Sequence, residues 1–96
     1  MKLTVKAVNF DMAEKLEKYI DKKTRKYDKL LGEKGEMEIR MSVVKPETAL
    51  NKETKLRILG VGQEIFASEV CDTFEQGIDK TLEAVNRQLE KLKDKK

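Results

Sequence analysis

The chain has 96 residues, is 39% hydrophobic and 41% charged, and carries a net charge of +3. A domain of this size buries only about 60 to 70% of the surface its unfolded chain exposes, so residues 1–96 form one domain with a shallow core. No apolar run is long enough to cross a bilayer and no charged-then-apolar leader opens the sequence, which implies a soluble, cytoplasmic protein with no membrane partner. A single cysteine, Cys71, and the lack of histidine exclude an internal disulfide, a cysteine–histidine nucleophile and the usual zinc sets, so neither metal nor cofactor is expected.

The opening KLTVKAV sets Leu3, Val5 and Ala7 against Lys2, Thr4 and Lys6, the period-two signature of a half-buried strand. From Ala13 to Leu31 the apolar residues Leu16, Ile20, Tyr27 and Leu31 recur at helical spacing, predicting one helix ended by Gly32 and Gly35. EMEIRMSVV alternates Met37, Ile39, Met41 and Val43 with polar residues and predicts a second strand that stops at Pro46. Residues 47–53 read as a loop. TKLRILGV and QEIFASE then read as two short strands joined through Gly60 and Gly62 as a hairpin. Asp72 stands where an N-cap belongs, with Glu75 three residues on, and opens a final helix that buries Phe74, Ile78, Leu82, Val85, Leu89 and Leu92.

One apolar face per element predicts an α+β two-layer sandwich of order β-α-β-β-β-α, a four-stranded mixed sheet with both helices on one face. The right-handed crossover rule predicts that the first strand lies parallel to a neighbour.

Charge is segregated onto the helices. Residues 13–31 hold seven basic residues against four acidic ones, and residues 80–96 hold six against three, so each segment carries +3 and the rest of the chain −3. At about 100° per residue, Lys15, Lys18, Lys22, Lys26 and Lys29 share an arc of about 80°, with Glu14, Glu17, Asp21 and Asp28 on the far flank. Lys80, Arg87, Lys91 and Lys95 form a comparable stripe on the last helix, pointing away from its leucines. Side by side, the two stripes make one basic surface, the electrostatic footprint expected for nucleic acid. The competing reading is a pair of solvated helix faces on a protein-interaction domain, in which Glu83 and Arg87 are an ordinary i,i+4 pair.

The last third closely resembles the ribosome hibernation promoting factor family. The residues that carry the likeness are Ile65 and Ala67, then Asp72, Phe74, Ile78 and Asp79, then Arg87, Gln88, Leu89, Lys91, Lys93, Asp94 and Lys95. The first helix is similar too, with Lys23 and Lys26 at positions the family usually keeps basic, and the VVK ending at Lys45 matches the end of the second strand. Two departures stand out. Ala84 occupies a position where the family commonly has lysine, with Lys80 one turn earlier, and residues 65–72 form a segment about one residue shorter than in some relatives. No extension follows Lys96, so the chain resembles the family's short form.

The resemblance implies a fold like that of double-stranded RNA-binding domains. It also implies a noncatalytic stasis factor, monomeric off the ribosome, that binds the small subunit between head and body in competition with messenger and transfer RNA. The rRNA-binding residues it implies are Lys22, Lys23, Lys26, Lys29, Lys80, Arg87, Lys91 and Lys95, with Arg87 making the directed phosphate contact. A general duplex-RNA module is the alternative RNA-binding reading.

No apolar-flanked carboxylate pair suits general acid and base work, and the GVG at 60–62 lacks the strand-to-helix setting of a phosphate loop, so no catalytic residue is expected. Cys71 reads as a packing residue, and Tyr19 and Phe66, which fall off the core stripes, are the aromatics freest to stack on bases.

Overall fold

The computed structural model describes residues 1–44, 51–60, 62 and 64–94, with the side chains of 92–94 excepted. The expected stop at Pro46, part of the 47–53 loop, Val61, and the side chains of Leu92, Lys93 and Lys95 lie outside that set. The element order is β1 (Lys2–Val8), α1 (Glu14–Thr24), α2 (Tyr27–Leu31), β2 (Glu36–Val43), β3 (Lys52–Leu59), β4 (Ile65–Cys71) and α3 (Phe74–Asp94). The sheet order is β1-β2-β3-β4, with β1 parallel to β2 and the other pairs antiparallel. The mixed sheet follows the expectation from one apolar face per element, and its parallel first strand follows the crossover rule.

Register explains the core. Transverse rows run Leu3–Met37–Ile58–Ile65 and Val5–Ile39–Leu56–Ala67, all on the face that the helices cover. Met37, Ile39, Met41, Leu56, Ile58 and Ile65 are fully buried. Leu16, Ile20, Tyr27 and Leu31 close over them from α1 and α2, and Phe74, Ile78, Leu82, Val85 and Leu89 from α3. The next row, Ala7–Met41–Thr54–Glu69, puts the buried Thr54 under Gly77 of α3. A Cβ on Gly77 would lie 2.4 Å from the Thr54 hydroxyl, so α3 sits close on β3 only because that position is glycine.

Three expectations need correction. The helix expected over 13–31 is two helices. The Thr24 hydroxyl donates to the Ile20 carbonyl at 2.8 Å, and the Asp28 N–H reaches back three residues to Arg25 at 3.2 Å, so the regular four-residue ladder breaks at Arg25 and Lys26. Gly32, at φ +71°, caps α2 with its N–H on Asp28 O. The cap of α3 is Thr73 rather than Asp72, since the Thr73 hydroxyl accepts the Gln76 N–H at 3.2 Å. Finally, Lys52 and Glu53, expected in a loop, pair with Val43 and Ser42 and with Cys71 and Val70 as the start of β3. Cys71 is buried, as its packing role requires.

Candidate nucleic-acid interface

The helix layer presents the basic residues that the charge pattern singles out. Lys22, Lys23, Lys26, Lys29, Lys80, Arg87 and Lys91 are all exposed, while Lys95 lies outside the described residues. Leucine burial on each helix forces these residues outward, because a stripe facing the sheet leaves the opposite arc to solvent. Lys22, Lys29, Lys80 and Lys91 have no carboxylate within ion-pair distance among the described residues. Arg87 donates to Glu83 at 2.6 Å, and Lys23 stands 4.0 Å from Asp79.

The two stripes do not merge into one continuous surface. α1 and α3 pack side by side, but the flank that α3 turns toward α1 is acidic. A cleft of about 250 Å³ between them is lined by Lys23, Lys26, Asp79, Leu82, Glu83 and Asn86. Cations therefore flank a mixed seam in which Asp79 and Glu83 stand between the lysines of α1 and Arg87.

Tyrosines tie the seam together. Tyr19 donates to the Asp79 carboxylate at 2.8 and 2.7 Å, with the Lys23 ammonium 5.4 Å from its ring centroid. Tyr27 donates to Asn86 Oδ1 from the core. Tyr19 is thus an interhelical strut through its hydroxyl, a role that its place off the core stripe does not foretell. Desolvation, then the hydrogen bond and charge of Asp79, push its pKa up to about 12. Burial likewise raises that of Tyr27, against the opposing effect of Asn86. With folded values above the unfolded value near 10, this stabilisation is complete below about pH 10 and is lost as pH rises toward 12. Alkaline titration of phenolate absorbance should therefore show neither of the two tyrosines ionising at its ordinary pH, with unfolding becoming easier over the same interval.

Phe10 is also engaged, stacked on Phe74 with ring centroids 4.4 Å apart. Phe66 is 46% exposed, but on the open face of the sheet, away from the helices. Register there places Lys6 opposite Arg40 and Arg40 opposite Lys55, a row of three like charges across three strands. Alternation assigns each residue to the wet face of its strand. That they meet depends on pairing register, which a reading confined to helix faces does not reach.

Comparison with known proteins agrees with the architecture. A structure of a ribosomal subunit interface protein from Coxiella burnetii superposes with a TM-score of 0.80 at 18% identity, covering 99% of this chain and 100% of that one. The N-terminal domain of Protein Y from Thermus thermophilus superposes at 0.76 and 13% identity, covering 96% and 99%. At these identities the likeness establishes the fold. No curated protein sequence matches the chain. The family model described as sigma 54 modulation protein / S30EA ribosomal protein matches residues 3–96, nearly the whole sequence, and the chain belongs to that family.

Proposed function

We propose that this protein is a ribosome-associated stasis factor that acts by occupancy and without catalysis. It sits on the small subunit in the channel between head and body, where it excludes messenger and transfer RNA and keeps idle ribosomes intact. The observation that carries this reading is the concentration of exposed, uncompensated cations on the helix layer of a chain from the S30EA family. A relative of the same fold is itself described as a ribosomal subunit interface protein.

The chemistry follows from the charges. Lysines without carboxylate partners contribute diffuse attraction to phosphates and need no base-specific geometry, which suits irregular ribosomal RNA walls read by shape. Arg87 adds direction, because its guanidinium can hold a phosphate in bidentate fashion. Its bond to Glu83 is solvent-exposed and worth little, so exchanging that carboxylate for a phosphate costs little. The mixed seam divides the cations into two lines, an arrangement suited to two separate phosphate tracks. Lys80, one turn before Ala84, supplies charge to the α3 line.

Cosedimentation of the purified chain with vacant small subunits, across a salt series, tests the reading. Binding should be stoichiometric, should fall steeply as salt rises, and should be displaced by messenger plus initiator transfer RNA. Equal affinity for a free RNA duplex would instead identify a general duplex-binding module. Binding indifferent to salt would identify a protein-interaction domain with solvated lysines.

A further inference from the structure

β1 leaves one margin of the sheet incomplete. Leu3, Val5 and Ala7 share transverse rows with Met37, Ile39 and Met41, which are fully buried, yet none of the three is itself buried. The Lys2 N–H bonds to Gly35 O at 3.0 Å, so alternation turns the peptide groups of Lys2, Thr4, Lys6 and Val8 toward β2. Those of Leu3, Val5 and Ala7 therefore face outward at the free edge, beneath the overhang of α1. There a groove of about 560 Å³ opens, with Leu3, Val5, Met12 and Ile20 as its apolar floor. Its rim is formed by Glu14, Glu17, Lys18 and Asp21. Lys18 is held by Glu14 at 3.2 Å, whereas the carboxylates of Glu17 and Asp21 have no cation partner among the described residues.

We propose that this groove docks an extended polypeptide segment as a fifth strand, with arginine or lysine at every second position. Three features converge on that occupant. Unpaired strand-edge peptide groups select an extended backbone, as in β-strand addition. Residues paired with Leu3, Val5 and Ala7 project to the same side as those residues, over the groove. There the aliphatic stems of Arg or Lys cover Leu3, Val5 and Met12, while their charged heads reach Glu17 and Asp21. The intervening residues face the open side beside Lys2 and Lys6, where further cations are repelled and small neutral residues such as threonine fit.

Other occupants match poorly. A nucleic acid brings phosphates to a rim of carboxylates. A second copy pairing through its own β1 brings Leu3, Val5 and Ala7, leaves Glu17 and Asp21 uncompensated, and sets two acidic rims against each other. The site lies on the opposite flank of α1 from the seam with α3, so it stands whether or not the helix layer binds RNA.

The test uses the full chain, isotope-labelled for amide NMR, and a short acetylated peptide in which arginine and threonine alternate. Saturable shifts should appear at Leu3, Val5, Ala7, Glu17 and Asp21, with slowed hydrogen exchange at the first three amides. Glu17→Lys with Asp21→Lys should weaken that binding about tenfold or more, leaving thermal unfolding nearly unchanged because both side chains are exposed. A peptide of the same composition with all its arginines before its threonines should bind far more weakly. Equal binding of the two peptides, shifts that map to α3, no shifts at millimolar peptide, or concentration-dependent self-association through β1 would each overturn the proposal.

Discussion

Replacing Arg87 and Lys91 together by glutamate should reduce affinity for the small ribosomal subunit by about a hundredfold at low salt, leaving the fold almost as stable as before. Both side chains are exposed on the arc of α3 opposite Leu82, Val85 and Leu89, so neither contributes to the core. The stability term at risk is the exposed Glu83–Arg87 pair, whose loss and replacement by like charges costs a few tenths of a kcal/mol. If each residue contacts a phosphate, the slope of log affinity against log salt should also flatten by about two. Subunit cosedimentation over a salt series, alongside thermal unfolding, separates the two effects. Undiminished binding with unchanged melting would remove α3 from the RNA face, and a large fall in melting temperature would mean that the helix surface also supports the fold.

The largest loss of stability from a single methyl group is expected at Gly60, where β3 turns toward β4. Its φ is +87°, and an added Cβ would lie 2.2 Å from the Lys34 carbonyl oxygen and 3.1 Å from Gly35 Cα. Both neighbours are backbone, so no rotamer change relieves the clash. Gly60→Ala therefore combines a positive-φ cost of about 1 to 2 kcal/mol with overpacking of about 1 to 3 kcal/mol. Gly62, at φ +97° with nothing within 4 Å of where a Cβ would sit, is the internal control, since alanine there meets only the first cost. Urea unfolding of the two variants should differ by the steric part alone. Equal losses would mean that the turn against Lys34 gives way freely.

Much of this architecture can be read from one-dimensional periodicity. The strand at residues 2–8 and the core stripe Phe74, Ile78, Leu82, Val85 and Leu89 follow directly from spacing, because burial on one face of a regular element leaves a fixed period. What spacing misses is chemistry inside one element and encounters between two. Thr24 reads as a neutral helix residue, yet its hydroxyl competes for the Ile20 carbonyl where the ladder breaks. Asp72 and Thr73 are both good caps, and only the Gln76 N–H bond distinguishes them, although Thr73 with Gln76 at the capping-box spacing was the available signal.

The site is less legible for the same reason. Helical projection finds the cations of each helix but cannot tell which flanks meet. The sheet order β1-β2-β3-β4 and the paths of α1 and α3 across it decide that Asp79 and Glu83 fall into the seam. The same encounter makes Tyr19 a partner of Asp79, sixty residues away, which no local pattern encodes.

The parallel pairing of β1 with β2 has a further consequence for how the chain is made. Every other pair of adjacent strands is also adjacent in sequence, whereas residues 9–35 separate β1 from the strand beside it. During vectorial synthesis β1 emerges before β2 and then waits, its apolar residues uncovered, until the strand it needs has followed. β2, β3, β4 and α3 can assemble by short-range closures, while seating β1 requires closing the long loop that contains α1 and α2. β1, translated well before its partner, is thus the last strand of the sheet to be secured, and the margin of the sheet that stays open is also the one that synthesis leaves unpaired longest.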